Sequence, residues 1–454
     1  MRRVLVANRG EIAVRVIRAA HDLGLEAVAI HSDADTEAPH VRMADEAVAI
    51  GPPPTGKSYL DIEKIVAAAR DSKAEAVHPG YGFLSERADF AAAVEDAGLR
   101  FVGPKSEHIA LMGDKARARE AAQDAGVPTI PGSDGAVADA DGAAAVAGDI
   151  GYPVALKAAG GGGGRGIRIV HDADALHAQY KTAAREAAGA FDDARVYVER
   201  FITPARHVEV QVLGDGEAAI HLHERECSLQ RRRQKVIEET PAPGLAKDVR
   251  TELQSAAVAL CTAIGYRSAG TVEFLVDAES GEFFFIEMNT RIQVEHPVTE
   301  LATGVDLVAE QLRIAAGEPL RLGQADVAPR GCAIELRINA EDPANNFMPS
   351  PGPLDRVVLP AGPWVRVDTW MEPGGEVAPF YDSLLGKVIV WGEDRDAALA
   401  RARRALGELE VEGVKTTTPL LATLLDEDWF VAGAFHTGTL EAWLEETTRE
   451  GAGR

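Results

Sequence analysis

Cysteine is nearly absent from this chain. The three present, Cys227, Cys261 and Cys332, stand far apart and make no Cys-x-x-Cys pair. That excludes paired-cysteine zinc sites and a disulfide framework, so the three read as reduced structural residues. No apolar run approaches the ~20 residues needed to span a bilayer. The first residues, MRRVLVANRGE, lack the apolar core and small-residue cleavage site of a secretory leader, so a cytoplasmic location is expected. Positive charge is also scarce: 47 Lys and Arg against 71 Asp and Glu leave a formal charge of −24. A chain this negative repels polyanions, so the basic QRRRQK at 230–235 reads as a small-anion site, with neither nucleic acid nor membrane as partner. Glycine, by contrast, is abundant: five run consecutively within KAAGGGGGRG at 157–166. With 46% hydrophobic and 26% charged residues the composition is that of a globular protein, so disorder does not explain them. A length of 454 residues points to two or three domains.

Residues 3–8 (RVLVAN) form an apolar run, 11–23 carry a helical pattern, and EAVAIHSD follows Gly24. This rhythm recurs through AEAVHPGYGFLSE and LRFVG, and predicts a doubly wound parallel α/β unit over the first ~110 residues. Two motifs nearby mislead. GPPPTGKS at 51–58 fits the phosphate-loop pattern, but that loop works through backbone N–H groups, and Pro52, Pro53 and Pro54 have none. A rigid turn is expected instead. Gly161, Gly163 and Gly166 satisfy G-x-G-x-x-G, yet IRIV follows, a strand where a dinucleotide fingerprint requires a helix.

PVALKA before the glycines and IRIV after them predict a hairpin with a glycine-rich tip. Such a tip can lie over a nucleotide's phosphates and offer N–H groups, with Lys157 as a point charge beside it. A second hairpin is predicted at 270–296, GTVEFLVDAESGEFFFIEMNTRIQVEH. A turn near Glu279–Gly281 sets Glu273 opposite Glu287, two carboxylates whose repulsion a divalent cation would reverse; oxygen donors favour Mg²⁺. From there Glu287, Asn289, Arg291, Gln293 and Glu295 alternate strictly with apolar residues. Eight residues of straight strand span ~26 Å, too far for one small site. The chain is therefore expected to curl after Asn289 and to bring Arg291–Glu295 round an anionic substrate. His207, Glu209 and Gln211 in HVEVQV alternate too; the pattern alone fits a nucleotide-facing stripe and the polar outer face of an edge strand equally.

The order NRGEIAVRVIRA, HPGYGFLSE, MGDK, KAAGGGGGRG, ERECSLQRR, EMNTRIQVEHPVTE, ELRINAEDP and YDSLLGK resembles biotin carboxylase, an ATP-grasp family, from residue 3 to about 445. The resemblance implies an α/β fold with three regions: a parallel-sheet domain at 1–114, an ATP-grasp domain at 115–329 with a mobile lid at 130–202, and a mixed α+β domain at 330–447. It implies that Lys115, Lys157, Gly163 and Gly164 bind the ATP phosphates. Glu199, Arg200, Phe201 and Ile202 would hold adenine, and His207 would lie close to the nucleotide. Glu273, Glu287 and Asn289 would hold Mg²⁺ or Mn²⁺, the two glutamates also counting among the ATP contacts. Bicarbonate would rest on Lys235, Arg291, Gln293 and the backbone of Val294, with Glu295 as its base. Arg337 would stabilise the biotin enolate, and Tyr81 would lie beside the biotin ring. One departure stands out: Arg233 occupies a place where the bacterial acetyl-CoA-type enzymes usually carry an ATP-contacting His.

The implied reaction carboxylates biotin through carboxyphosphate, the first half-reaction of an acyl-CoA carboxylase, with acetyl-CoA as the leading choice of acceptor. A urea or other non-acetyl carboxylase is the alternative, as is another ATP-grasp carboxylate–amine ligase, although the latter has no reason to carry RIQVEH or HPGYGFLSE. A catalytically dead nucleotide sensor should have lost ligands, and none is altered. Implied partners are a biotin carboxyl carrier protein, a carboxyltransferase and a second copy in a homodimer. None of the six methionines adjoins a lysine, so the Met-Lys-Met turn that carries biotin is missing. Biotin is therefore expected as a carrier-bound substrate from another polypeptide, never attached to this chain.

Overall fold

The computed structural model describes residues 1–158, 166–191 and 193–452. The glycine run, Gly163 and Gly164 included, lies outside them. The described residues form two compact units. One comprises Met1–Val127, His207–Phe274 and the chain from Glu287 onward; the other comprises Pro128–Arg206 and Leu275–Ile286.

In the first unit the apolar runs become a five-stranded, wholly parallel sheet. Its order is Glu46–Gly51, Glu26–Ser32, Arg3–Val6, Ala76–His78, Arg100–Phe101. Val4, Leu5 and Val6 are solvent-free, as a strand covered on both faces requires. Strand order reverses between Arg3–Val6 and Ala76–His78, and in such sheets the crevice beyond that switch point is where ligands bind. Here Asn8 Nδ2 donates to the carbonyls of Pro79 (2.7 Å) and Tyr81 (2.8 Å), tying the two loop mouths together. Gly80 sits between them at φ +62°, and a Cβ there would lie 2.9 Å from Asn8 Nδ2, so only glycine fits. The GPPPTGKS stretch is a turn: Thr55–Lys57 is a short 3₁₀ segment, and the next helix waits until Ile62.

An eight-stranded sheet follows the order Phe283–Asn289, Arg267–Asp277, Ala205–Asp215, Ala219–Glu226, Ile237–Thr240, Cys332–Asn339, Leu384–Gly392, Val365–Thr369. Register decides what its C-terminal strands present. Glu238 pairs with Glu335, Arg337 with Lys387, and Lys387 with Asp368, so these five share one face. The alternating residues Ile334, Leu336, Ile338, Val388 and Val390 turn the other way into an apolar core with Leu399 and Ala402 of the helix Arg395–Glu408. Helix His296–Thr303 covers the charged face, Val298 packing on Ala333 and Ile389. QRRRQK folds into a two-stranded hairpin, Gln230–Arg231 against Gln234–Lys235, with Arg232 and Arg233 both at positive φ in its turn. Arg233 therefore serves as a turn residue, and the hairpin returns Lys235 to the sheet.

The second unit holds a three-stranded antiparallel sheet, Ile167–Val170, Val154–Ala158, Val196–Arg200. Lys157 pairs with Ile167, so the strands flanking the glycine run form the expected hairpin. Helices Ala140–Ile150 and Ala173–Phe191 close its core through Ala143, Ala147 and Leu176. The turn after residue 276 is closed by the Asp277 N–H donating to the Glu282 carbonyl at 2.8 Å, within about a residue of the centre read from the sequence. Among the described residues, no helix is long and apolar enough to cross a membrane.

Candidate active site

Strand Phe283–Asn289 stops where the sequence predicts, and residues 290–295 bend before helix His296–Thr303 begins. Glu295 is the residue capping that helix, with Pro297 in its first turn, a position where proline's missing N–H costs nothing. The bend draws the alternating side chains into one knot. Glu295 Oε1 accepts from Lys235 Nζ at 2.5 Å, and Oε2 accepts from Arg337 at 3.0 Å. Lys235 also reaches Glu209 at 2.6 Å and Glu273 at 3.3 Å, while Arg337 Nε donates to Glu238 at 2.6 Å. Glu273 Oε1 accepts further bonds from Asn289 (2.7 Å) and Gln293 (2.8 Å), and its Oε2 lies 2.9 Å from His207 Nε2. Arg291 bonds to Glu86 (2.9 Å) and to Asn289 Oδ1 (2.8 Å).

Beneath the knot, Arg225 is fully buried and satisfies its fork on Glu209 (2.6 Å), Gln211 (2.6 Å), Gln293 (2.7 Å), Thr299 (3.0 Å) and Thr271 (3.1 Å). Glu209 and Gln211 are solvent-free on a strand flanked on both sides, so the edge-strand reading of HVEVQV falls. A guanidinium with five acceptors fixes both the Gln293 amide and the Glu209 carboxylate before any ligand arrives.

Burial alone would raise the Glu295 carboxyl, but Lys235, Arg337 and Arg225 outweigh it and hold the group well below the usual carboxylate range. Glu273 is likewise held low against burial, by Lys235 and His207. Glu287 goes the other way: burial and then the charge of Glu273 lift it, Lys115 partly offsetting them. A carboxylate pair that repels itself, one member buried and the other half-buried, with an amide oxygen nearby, is the donor set of a hard divalent cation; Glu273, Glu287 and Asn289 fit Mg²⁺ or Mn²⁺. Glu238 is pushed up to about 7, by burial first and by Glu295, against Arg337.

Three family models tile the sequence: "Biotin carboxylase, N-terminal domain" over residues 1–109, "Carbamoyl-phosphate synthase L chain, ATP binding domain" over 114–322, and "Biotin carboxylase C-terminal domain" over 335–442. The biotin carboxylase of Pseudomonas aeruginosa is 55% identical over 446 residues, covering 98% of this chain and 99% of that protein. The chain belongs to the biotin carboxylase family. It is an enzyme of the ATP-grasp ligase class. The propionyl-CoA carboxylase alpha chain of Ruegeria pomeroyi is 48% identical over 470 residues, covering 99% of this chain and 68% of that longer one. Among solved structures, the biotin carboxylase domain dimer of Hydrogenobacter thermophilus 2-oxoglutarate carboxylase, in complex with MgADP, ADP and bicarbonate, superposes with a TM-score of 0.88 at 50% identity, covering 97% of each chain. Relatives of this chain thus bear the names of carboxylases with different acceptors.

Of the residues singled out from the sequence, the fold brings Lys235, Glu273, Asn289, Arg291, Gln293, Glu295, Arg337 and His207 into one connected knot. Lys115 opens helix Lys115–Asp124, whose cap is Asp114, and its charge acts on Glu287. The hydroxyl of Tyr81 donates to Glu11, and the Val294 carbonyl accepts from Lys387. Lys157 and Glu199 form an ion pair within the second unit. There Arg200 pairs with Glu282 at 3.1 Å, and Ile202 packs in a small core with Phe284; Phe201 follows the strand. Arg225, Glu86, Glu11 and Lys387 lie inside stretches quoted from the sequence but were given no role there, and Glu238 lay in none of them. Charged residues set among apolar ones, as in VIEET and LLGKVIV, were the available signal for Glu238 and Lys387.

Proposed function

We propose that this chain carboxylates the biotin of a biotin carboxyl carrier protein, using ATP and bicarbonate, as the first half-reaction of an acyl-CoA carboxylase. A separate carboxyltransferase passes the carboxyl group to acetyl-CoA. The enzyme works in the cytoplasm as a homodimer, its domains bounded at 1–114, 115–329 and 330–447. The observation that carries the reading is the Glu295 carboxylate gripped by Lys235 and Arg337, one cation for each oxygen.

Bicarbonate is a poor nucleophile until its remaining proton leaves. Lys235, Arg291, Gln293 and the Val294 backbone hold it, and Glu295 takes the proton. While they grip it, Lys235 and Arg337 make Glu295 a weak base. An incoming anion that shares Lys235 weakens that grip, so the base strengthens as the substrate seats. The freed oxygen attacks the γ-phosphorus of ATP, the bond to the ADP oxygen breaks, and carboxyphosphate forms. Glu273, Glu287 and Asn289 would hold a divalent cation, which would supply positive charge against the phosphates during this transfer. Lys115, Lys157, Gly163 and Gly164 bind the phosphates, Glu199, Arg200, Phe201 and Ile202 the adenine, with His207 beside the nucleotide. Carboxyphosphate then yields CO₂ and phosphate, and the phosphate removes the N1′ proton of biotin. Arg337 stabilises the enolate that attacks CO₂, with Tyr81 beside the ring.

Purified chain supplied with MgATP should release ADP only when bicarbonate is present, and faster with free biotin. ADP release indifferent to bicarbonate contradicts the proposal.

A further inference from the structure

Two of the sequence stretches that mark the family, NRGE at 8–11 and YDSLLGK at 381–387, have no part in the reaction above. The fold nevertheless brings their last residues, Glu11 and Lys387, together. Lys387 is fully buried on strand Leu384–Gly392, and Glu11 is almost so, at 3% exposure, on helix Gly10–Asp22. Lysine is almost never enclosed in this way unless it is paired. Lys387 Nζ lies 3.1 Å from Glu11 Oε1 and donates to the Val294 carbonyl at 2.6 Å. The same Glu11 oxygen accepts the hydroxyl of Tyr81. The chain of contacts therefore runs from the switch-point loop, through a carboxylate and an ammonium, to the peptide that joins Val294 to Glu295.

We infer that Lys387, anchored by Glu11, is a positioning residue for bicarbonate: by holding the Val294 carbonyl it orients both the Val294 backbone that contacts the anion and the Glu295 base that deprotonates it. This rests on the reaction proposed above. The chemistry suits lysine in particular. Its ammonium carries three donors that diverge from one point, enough to hold a carboxylate and a carbonyl from different elements at once. The Val294 carbonyl lies in a bend rather than in a strand or helix, so no regular backbone ladder holds that peptide. Glu11 anchors Lys387 and also receives Tyr81, so the bicarbonate side and the biotin side of the site share one support. Neither Lys387 nor Glu11 touches substrate, and neither transfers a proton.

The test is Lys387→Met combined with Glu11→Gln, which removes both buried charges together and leaves the Tyr81 hydroxyl an acceptor. The folded double variant should show a bicarbonate KM raised at least about tenfold and kcat lowered about 10–100-fold, with the ATP KM within about twofold of wild type. A purely structural role would shift both KM values alike. Equal shifts, or bicarbonate kinetics within about twofold of wild type in the folded double variant, overturn the inference. If the double variant does not fold, Lys387→Arg carries the same test. It keeps the charge beside Glu11 but spreads its donors in a planar fork, so the bicarbonate KM should again rise against a fixed ATP KM, and an unchanged bicarbonate KM overturns the inference. A wild-type chain that cleaves ATP without regard to bicarbonate fails the underlying reaction instead, and the positioning role falls with it.

Discussion

Replacing Glu295 by glutamine removes one negative charge and leaves the side-chain volume nearly unchanged. Around it, Lys235, Arg225 and Arg337 pair with Glu209, Glu238 and Glu273 as well as with Glu295, so each of the three cations keeps a carboxylate partner after the change. Lys235 keeps Glu209 at 2.6 Å and Glu273 at 3.3 Å, and Arg337 keeps Glu238 at 2.6 Å. The variant should therefore fold and bind MgATP as wild type does. What it loses is a proton acceptor, and loss of a positioned base costs about 10²–10⁴ in rate. That is about 2.7–5.4 kcal/mol of barrier, at about 1.36 kcal/mol per decade. The assay is bicarbonate-dependent ADP release, with MgATP affinity measured separately by calorimetry. Activity within about twofold of wild type would refute the assignment of the base.

Glu273→Gln and Glu287→Gln should each raise the Mg²⁺ concentration needed for half-maximal turnover, because the cation offsets their mutual repulsion; Mg²⁺ titrations matching wild type would separate the pair from the metal. Arg225→Met strips the fully buried Glu209 and its neighbours of their guanidinium, and breaking one side of a buried pair costs about 3–5 kcal/mol, read as a fall in the urea midpoint. Glu295 and Asp368 have carboxyls held low, Asp368 against burial chiefly by Arg366, so their stabilising contribution is full above the unfolded carboxylate range of about 4 and is lost as pH falls below it. Glu238 has the opposite sign: pushed up to about 7, it favours the folded state most below about pH 4 and loses that contribution as pH rises towards 7. Glu238→Gln should flatten the decline in urea stability between pH 5 and 8; an unaltered slope would show that Glu238 does not titrate there.

The legible features were local. Period-2 alternation from Glu287 to Glu295 could be read directly, and the bend at 290–295 followed from length alone, since a straight strand overshoots any small site. The parallel sheet was legible because its strands are apolar on both faces. What escaped was the choice of partners. Glu238, Arg337 and Lys387 face one another only because Ile237–Thr240, Cys332–Asn339 and Leu384–Gly392 are neighbours in one register, and strand order is a property of the whole chain. Glu209 and Gln211 left two readings equally open because a buried polar row and an exposed one have the same sequence pattern; Arg225, on the neighbouring strand, distinguishes them. The hairpin at 230–235 gave no signal, since its turn places Arg232 and Arg233 where Gly or Asn is usual.

The most direct measurement is transfer of radiolabel from ¹⁴C-bicarbonate to biotin. The purified chain, MgATP, labelled bicarbonate and a biotinylated carrier protein are mixed, and acid-labile label on the carrier is counted. Label should appear on the carrier in proportion to the ADP formed, and should vanish when ATP is omitted or when Glu295→Gln replaces wild type. ADP formation with no label on biotin would contradict the account at its centre.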